Sequence, residues 1–592
     1  MTPTCVLDLE VYTNFTLVVL KDVETEAVVS MELPLDAFDL EVLHTIVTTN
    51  RIITFNGTSY DIPLLHLILR GENSAKIKEA SDWVIVQGGT WWNFEKRYNV
   101  KLNEGEIDHV DLMPVAPLTG SLKLYAARLH CRSIQDLPIA PSALITEEQK
   151  PILREYCEND CDNTIALFNA LKGQLALRDT MSATYGIDLR SKSDAQIAEA
   201  VIKKEVETRL KTRLEKPGSG AGGELYYQPP AWMGFQSLDI LERVREAGFI
   251  VGDKGTVIAP PELAGKKIRI GSGMYRLGIG GLHSSEKCQV IRADSRYLVK
   301  DIDVVSYYPA ILINQGLYPR HIGKEFLAVY KTLVAKRLAA KAAGRKAENE
   351  SLKITINGTF GKTASPYSVL YAPEVFMQIV ITGQLATLML IERLSDVIGV
   401  EVVSANTDGV TIRCLRECEA DALAAVKDWE TLTGFETERA DYDGLYSRDV
   451  NNYVALKTDG EVKTKGGYGT GLPLHKNPYA QICSQAVIDY LAFDASIPGT
   501  IEACQDIRKF VCVRSVKGGA THHGVDIGRI VRWYYSTVEE EALLYKTNNY
   551  LVPNTLHAMP CVVLPEGIPD DLDRAWYVKE AHTMLEDLGV LS

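Results

Sequence analysis

Near the start of the chain, several short segments alternate apolar and polar residues. The segment CVLDLEVYTNFTLVVL (5–20) predicts a strand, a turn and a returning strand, and RIITFNGTSYDIPLLHLIL (51–69) predicts a strand followed by a helix. Thr146 and Gln149 have capping-box spacing, which predicts a helix that carries ILREYCENDCDNTIALFNAL. This first part of the chain therefore has the pattern of an α/β domain.

A different pattern follows the Gly- and Ser-rich stretch KPGSGAGGE (216–224), which indicates a linker or an exposed loop. Mixed strands are expected to about residue 320, and a basic, Ala-rich helical hairpin to about 356. Further strands are expected to about 475, and the tail mixes strands and helices. No internal repeat is evident in the sequence.

The stretch VEVVSANTDGVTIRC (400–414) consists of two β-type runs separated by ANTDG. It predicts a hairpin, because Asn and Gly tolerate the positive φ angles of tight turns. Asp408 would project from the tip of this hairpin. The residue two positions earlier, Asn406, carries an amide side chain.

Composition narrows the class of protein. A chain of 592 residues predicts several domains, and 46% hydrophobic with 24% charged residues is ordinary for a globular protein. We expect no membrane span, because no apolar run approaches the roughly 20 residues that a span requires. Eleven scattered cysteines without a CxxC pair and an N-terminus without signal-peptide features predict a reducing cytoplasm. The net charge of −14 excludes a wholly basic nucleic-acid coat but allows a local basic channel.

Acidic residues recur at fixed places in the N-terminal α/β region. Asp8 and Glu10 share one face of a strand, Asp61 follows Asn56 at a strand-to-helix junction, and Tyr156 and Asp160 share one face of a helix. Four carboxylates from three elements could hold two divalent cations, and Tyr156 could position an attacking water. The ordered set resembles the three exonuclease motifs of the DEDD proofreading family, in the subtype with tyrosine.

A second candidate set lies in the middle of the chain. Asp303 ends a predicted strand in DIDVVSYYPAILI. Arg337 and Lys341 are four residues apart, as are Lys353 and Asn357, so each pair lies on one helical face. On facing helices, the three cations would form a clamp suited to a triphosphate.

In order, DVVSYYP, KITINGTFG and NTDG resemble motifs A, B and C of the family B DNA polymerases, over residues 5–470 with the exonuclease set included. The resemblance implies an RNase H-like exonuclease fold followed by a right-hand palm, fingers and thumb, within α/β and α+β domains. It implies DNA-dependent DNA synthesis with 3′→5′ proofreading, and two Mg²⁺ per active site, for which Mn²⁺ can substitute. The implied domains are exonuclease 1–185, connecting segment and first palm part 186–322, fingers 323–360, second palm part 361–475 and thumb 476–592.

The resemblance also assigns roles to individual residues. Asp303, Asp408 and the backbone carbonyl of Val304 would bind the polymerase metals, and Asp8, Glu10, Asp61 and Asp160 those of the exonuclease. The nucleotide would contact Ser306, Tyr307, Tyr308, Arg337, Lys341, Lys353 and Asn357, with Tyr308 excluding a 2′-hydroxyl. DNA would contact Asn56, Tyr275, Gly280, Gly281, Tyr453 and Lys465; the three middle residues belong to the YRLGIGGLH segment.

Motif C of the family usually reads Asp-Thr-Asp, whereas this chain has Asn406 at the first position. An amide keeps an oxygen acceptor and removes one negative charge, so an active polymerase is the main interpretation. The alternatives are an exonuclease with a decayed polymerase half, and a non-enzymatic scaffold that clamps primer–template DNA.

The compact layout resembles a bacteriophage replicative polymerase started from a nucleic-acid primer. Its expected partners are primer–template DNA, dNTPs and phage replisome proteins such as a helicase–primase and a single-strand binding protein, in the host cytoplasm. In the tail, Arg514, Lys517, Arg529 and Arg532 near three aromatics suit either a nucleic-acid contact or a packed strand with a charged outer face.

Overall fold

The computed structural model describes residues 3–102, 107–236, 239–471 and 473–591. It divides the chain into two compact units. The first unit comprises residues 1–193, 471–481 and 504–576, and the second comprises 194–470, 482–503 and 577–592. Residues 476–592, the predicted thumb, contribute to both units. All the predicted domain boundaries remain predictions.

The N-terminal part of the first unit contains a five-stranded sheet and its helices. Its strands are β1 (Thr4–Val11), β2 (Thr16–Asp22), β3 (Val28–Glu32), β4 (Arg51–Thr54) and β5 (Asp108–Asp111). Its helices are α1 (Ala37–Thr49), α2 (Asp61–Ile68), α3 (Ser74–Ile85), α4 (Trp91–Tyr98), α5 (Leu122–Arg128), α6 (Lys150–Ala170) and α7 (Lys172–Tyr185). The predicted elements around residues 5–20, 51–69 and 152–171 are thus confirmed.

The sheet has the order β3-β2-β1-β4-β5. Strands β1 to β3 are antiparallel, and β4 and β5 run parallel to β1. Leu7 and Leu9 of β1 belong to one hydrophobic core, whereas Val6 belongs to a second core that includes Cys157 of α6. Because side chains alternate along a strand, Asp8 and Glu10 continue the face of Val6 toward α6.

The second unit contains most of the remaining elements. Its strands are β6 (Glu224–Tyr226), β7 (Gly248–Val251), β8 (Val257–Ile258), β9 (Lys267–Ile270), β10 (Gly273–Arg276), β11 (His283–Ser284), β12 (Gln289–Arg292), β13 (Tyr297–Val304), β14 (Val400–Ala405), β15 (Gly409–Leu415), β16 (Thr437–Asp449), β17 (Asn452–Lys457) and β18 (Val462–Lys465). Its helices are α8 (Asp194–Leu210), α9 (Ile240–Glu246), α10 (Tyr307–Asn314), α11 (Lys324–Ala342), α12 (Lys346–Thr363), α13 (Pro373–Ser395) and α14 (Glu419–Thr433).

A sheet of seven strands forms the centre of this unit. Its order is β14-β15-β13-β16-β17-β18, with β12 also paired to β16. Helices α11 and α12 confirm the predicted basic hairpin, and residues 216–224 form an exposed loop between α8 and β6.

Helices α13 and α14 correct the expectation of strands alone between 356 and 475. The apolar run of α13 also contradicts the expectation that no segment is long enough to span a membrane. Its residues belong to the core of the second unit, and 89% of its most apolar window is buried there. Apolar residues on every side of a helix are typical of such a core position.

The tail supplies three helices, almost entirely to the second unit, and a small sheet to the first. Its helices are α15 (Gln481–Phe493), α16 (Ile497–Ala503) and α17 (Arg574–Asp587), and its strands are β19 (Cys512–His522), β20 (Val525–Tyr535), β21 (Leu544–Tyr545) and β22 (Ala558–Pro560). Arg532 is 1% exposed and donates to the carbonyls of Cys131, Arg132, Cys561 and Val562. Because Trp533 to Tyr535 are also buried, this segment is a packed strand and does not present these side chains to a nucleic acid.

Candidate metal centres and nucleotide site

The first unit brings its predicted acidic residues together. Asp8 and Glu10 lie on β1, Asp61 is the first residue of α2, and Asp160 lies on α6 one turn after Tyr156. The carboxylates of Asp8 and Glu10 and the thiol of Cys157 lie within 4.8 Å of one another. The Cys157 thiol donates to Asp8 Oδ2 over 3.2 Å.

Burial and mutual repulsion make these carboxyl groups hard to ionise. Burial, followed by the charge of Asp160, raises the pKa of Asp8 to about 7. Burial also raises the pKa of Glu10, of Asp61 and of Asp160, and the neighbouring Asp8 adds to the effect at Glu10 and Asp61. A nearby positive charge would stabilise all four anions at once.

The donor atoms fit a hard divalent cation. Asp160 Oδ1 is buried and has no hydrogen-bond partner within the described protein, which leaves a carboxylate oxygen available as a ligand. Carboxylate oxygens suit Mg²⁺ and Mn²⁺. Burial raises the pKa of the Cys157 thiol well above its usual value, so this sulfur remains a hydrogen-bond donor to Asp8.

Sequence reasoning missed Lys123 of α5. Its ammonium donates to the hydroxyl of Tyr156 over 2.6 Å and lies 4.7 Å from the centre of that ring. It also lowers the pKa values of Asp8 and Asp160, against the effect of burial. No short motif marks Lys123, because it reaches the cluster through the packing of α5 on α6.

Asn56 lies in the turn before α2, with a φ of 68°. Both oxygens of the buried Asp111 accept backbone N–H groups of this turn, from Asn56 at 2.8 Å and Thr58 at 3.1 Å. Asp111 therefore fixes the loop that leads to Asp61. A contact of Asn56 with DNA stays a prediction.

In the second unit, the sheet register places Asp303 beside the tip of the β14–β15 hairpin. Asp303 of β13 is paired with Gly409 of β15, and the Val304 N–H donates to the Asp408 carbonyl over 2.7 Å. A Cβ atom on Gly409 would lie only 2.0 Å from Asp303 Oδ1. Gly409 is thus required because a carboxylate occupies the space of its side chain, and the predicted positive φ is not observed at Asn406 or Gly409.

Asn406 stabilises the hairpin turn. Its Oδ1 accepts from the backbone N–H of Asp408 at 3.1 Å and of Gly409 at 2.8 Å, and its own N–H donates to the Gly409 carbonyl at 2.9 Å. An amide or carboxylate side chain commonly holds a turn in this way. The arrangement leaves the side chain of Asp408 exposed at the tip.

Asp303 belongs to a network of charges that only partly balances. Burial raises the pKa of Asp303 to about 6, with contributions from Asp301, Asp408 and Glu438 and an opposing effect of Lys463. Lys463 Nζ lies 2.9 Å from Asp301 Oδ2 and 3.7 Å from Asp303 Oδ2. Lys463 and Glu438 were missed, although Lys463 shares the alternation of Lys465 in VKTK.

A cavity of about 760 Å³ joins the acidic residues to the helical hairpin. The predicted residues that line it are Asp303, Val304, Ser306, Tyr307, Tyr308, Arg337, Lys341, Asn357, Asp408, Tyr453 and Lys465. Lys353 is not among the described lining residues, and its ammonium lies 3.7 Å from Glu350 Oε2. The cavity therefore has carboxylates on one wall and Arg337 and Lys341 on another.

The two tyrosines of this cavity differ in environment. Tyr307 is buried, and its hydroxyl donates to the Gly383 carbonyl over 2.7 Å. Tyr308 is half-buried and its ring centre lies 4.3 Å from that of Phe360. Ser306 precedes them with a φ of 49°, and its hydroxyl accepts from Arg337 over 3.2 Å.

The residues of the second unit that are predicted to contact DNA differ in whether they are buried and whether they line the cavity. Tyr453 and Lys465 are paired across β17 and β18 and line the cavity. Tyr275 is only 1% exposed because its ring packs in the core, and a contact of this segment with DNA stays a prediction. A Cβ atom on Gly281 would lie 1.7 Å from Thr407 Oγ1, so this glycine permits contact with the hairpin tip. Gly280 has open space at its Cβ position.

Comparisons with known proteins give little further guidance. No protein-family model matches the chain, and no curated protein matches it by sequence. Among solved structures, it is similar to the family B DNA polymerase from the hyperthermophilic archaeon Pyrobaculum calidifontis, with a TM-score of 0.40 and 13% identity, over 100% of this chain and 78% of that chain. At this level of similarity, function has to be inferred from the residues themselves.

We predict that Asp8→Asn stabilises the protein at pH 8 in the absence of divalent cations. The pKa of Asp8 rises from 3.8 to about 7 on folding, so its contribution to stability falls as the pH rises through that window. The gain in the free energy of unfolding should be on the order of 1 kcal/mol or more at pH 8 and should vanish below about pH 4. Urea denaturation at several pH values measures it.

Glu155→Gln, an exposed change on α6, the helix that carries Asp160, is the control and should have little effect at any pH. Excess Mg²⁺ should raise the stability of the unmodified protein by more than it raises the stability of the Asp8→Asn variant. Equal pH profiles for Asp8→Asn and the unmodified protein would contradict the proposed repulsion.

Proposed function

We propose that this chain is a DNA-dependent DNA polymerase that extends primer 3′ ends with dNTPs and proofreads with a separate 3′→5′ exonuclease site. The main support is the cavity of about 760 Å³, where Asp303 and Asp408 face Arg337, Lys341 and Asn357 of the helical hairpin. A nucleoside triphosphate needs both features, carboxylates that bind metal and cations that bind its phosphates. The independent acid cluster in the first unit supports the second activity.

Asp303, Asp408 and the carbonyl of Val304 would hold the metal ions of the polymerase site. Two Mg²⁺ ions would supply positive charge to the attacking 3′-oxygen and to the leaving pyrophosphate oxygen. Arg337 and Lys341 would orient the triphosphate, and Tyr308 would pack below the sugar. Tyr453 and Lys465, on neighbouring strands at the cavity, would contact the primer duplex.

Asp8, Glu10, Asp61 and Asp160 would hold the metal ions of the exonuclease site. Tyr156 would orient the attacking water, and the ammonium of Lys123 would fix the phenol. Asn56, at the half-buried turn before Asp61, would contact the DNA end. The sheet order β3-β2-β1-β4-β5 is compatible with an RNase H-like fold for this part of the chain.

The proposal also includes the substrates, the biological process and the partner proteins. Primer–template DNA and dNTPs would be the substrates, and replication of a phage genome in a host cytoplasm would be the process. A helicase–primase and a single-strand binding protein are the proposed partners. A domain order of exonuclease, palm, fingers and thumb belongs to the same proposal, with the thumb composed of tail segments from both units.

Primer extension with Mg²⁺ and four dNTPs tests the proposal against its alternatives. A polymerase extends the primer, and without dNTPs it shortens a single-stranded 3′ end. An exonuclease with a decayed polymerase half only shortens it, and a scaffold does neither. Either of the last two results, from a folded protein, would reject the proposal.

For the exonuclease, we predict that Asp8→Ala combined with Glu10→Ala abolishes degradation of a single-stranded 3′ end. Extension should remain near the unmodified rate, because the two acid clusters belong to different compact units. Gel assays of both activities on the same preparation measure this, with Glu155→Gln as the control. Equal loss of both activities in a folded variant would contradict the division of labour.

For sugar selection, Tyr308→Ala should raise incorporation of ribonucleotides relative to deoxyribonucleotides. Removal of the half-buried ring leaves space at the cavity wall where a 2′-hydroxyl would otherwise clash. Single-nucleotide incorporation with matched rNTP and dNTP pairs gives the ratio. Tyr307→Phe is the control, since it removes only a hydroxyl that is bound to Gly383. If Tyr308→Ala leaves the ratio of ribonucleotide to deoxyribonucleotide incorporation unchanged, Tyr308 is not the residue that excludes the 2′-hydroxyl.

At the hairpin tip, Asp408→Asn should reduce polymerisation by several orders of magnitude, because a neutral amide cannot offset two adjacent dications. Asn406→Asp should retain polymerisation, since a carboxylate oxygen can accept the same two backbone N–H groups. Asn406→Ala should be intermediate, because those N–H groups lose their acceptor. Extension rates over a Mg²⁺ titration, in an exonuclease-deficient background, rank the variants.

The exonuclease-proficient form of each variant provides the control, since degradation should be equal in all three. The assignment fails if Asp408→Asn extends primers at the unmodified rate. It also fails if Asn406→Ala is the more damaging change.

A further inference from the structure

Two adjacent histidines lie at the end of the β19–β20 hairpin in the first unit. His522 ends β19 and is paired with Val525 of β20, so His523 and Gly524 form a two-residue turn. Their φ angles are 48° and 77°, as a type I′ turn requires. Among residues other than glycine, Asn, Asp and His adopt such angles more often than the rest.

Glu539 faces both histidines from the segment after β20. Its side chain is 6% exposed, and its Oε1 accepts from the Glu541 N–H over 2.8 Å. The Glu539 carbonyl accepts from His557 Nδ1 over 2.7 Å, which fixes the backbone. The remaining oxygen, Oε2, lies 3.0 Å from His522 Nε2 and 3.2 Å from His523 Nε2.

Hydrogen bonding alone does not satisfy this group of atoms. His522 Nε2 is buried and makes no hydrogen bond of acceptable geometry, although Glu539 Oε2 is near. The other ring nitrogen of His523, Nδ1, lies 3.2 Å from Glu541 Oε2. A carboxylate behind a histidine is the usual means by which a metal-binding imidazole is oriented.

We propose that His522, His523 and Glu539 bind one transition-metal ion of the Zn²⁺ type. Their candidate ligand atoms lie within 4.8 Å of one another. In a tetrahedral zinc site, neighbouring ligand atoms are about 3.3 Å apart, close to the two nitrogen–oxygen distances here. The side chain of His523 is 52% exposed, so a water molecule can occupy the fourth position.

This site differs in chemistry from the two all-oxygen clusters. Imidazole nitrogen with one carboxylate favours Zn²⁺, Co²⁺ and Ni²⁺ over Mg²⁺. The ion would join the hairpin end to the segment that carries Glu539, and its role would be to stabilise the first unit. The inference is independent of the proposed polymerase and exonuclease activities.

Titration of the metal-free full-length protein with Co²⁺ tests the proposal. Mg²⁺ in large excess occupies the oxygen clusters during the titration, and the visible absorption of tetrahedral Co²⁺ reports on the histidine site. We expect one Co²⁺ per chain with this spectrum, displacement by one equivalent of Zn²⁺, and a higher Tm for the Zn²⁺ form.

His523→Asn and Glu539→Gln should each weaken Co²⁺ binding at least tenfold and abolish the Tm increase. Asn suits the positive φ of residue 523, so the hairpin should still fold, and circular dichroism checks this. The matched control is His475→Ala, which removes an exposed histidine of the same unit and should bind like the unmodified protein. Absence of the tetrahedral spectrum, or equal titrations for the unmodified protein and both variants, would overturn the proposal.

Discussion

Repulsion between carboxylates held close together is the constraint on which both candidate centres depend. In the first unit, burial raises the pKa values of Asp8, Glu10, Asp61 and Asp160, and neighbouring carboxylates add to the effect. The ammonium of Lys123 opposes it at Asp8, Glu10 and Asp160. In the second, Lys463 opposes the combined effect of burial and three neighbouring acids on the pKa of Asp303. Each cluster thus has more negative than positive charge, which a bound dication would relieve.

The backbone maintains these arrangements against the repulsion. On β1, the alternation of side chains directs Asp8 and Glu10 toward α6, and the helical spacing of α6 brings Asp160 to the same region. On β13, pairing with β15 places Asp303 over Gly409, where any larger residue would collide with the carboxylate. The hydrogen bond from Val304 N–H to the Asp408 carbonyl then fixes the hairpin tip. Regular secondary structure therefore provides the rigidity, and the exposed side chain of Asp408 remains able to adjust to a ligand.

Sequence reasoning succeeded where the placement of a side chain depends on local periodicity. The positions of Asp8 and Glu10 on a strand, of Tyr156 and Asp160 on a helix, and of Asp408 in a hairpin all follow from spacings of two, four or a few residues. It failed where contacts join distant segments. Lys123 and Lys463 reach their acids only through tertiary packing, and the burial of Tyr275 depends on residues far away in the chain. Helix α13 was missed because its apolar positions have no clear period, as in other fully buried helices.

The amide at residue 406 is best understood from the turn that it stabilises. Its Oδ1 already accepts two backbone N–H groups, and these belong to Asp408 itself and to Gly409, the residue beneath the Asp303 carboxylate. A carboxylate could make the same bonds but would add a further negative charge beside Asp303, whose pKa the neighbouring acids already raise. Asn406 therefore preserves the geometry of the centre at lower electrostatic cost. Under the proposed function, the amide at residue 406 changes the charge balance of the centre and leaves Asp303 and Asp408 available as the proposed metal ligands.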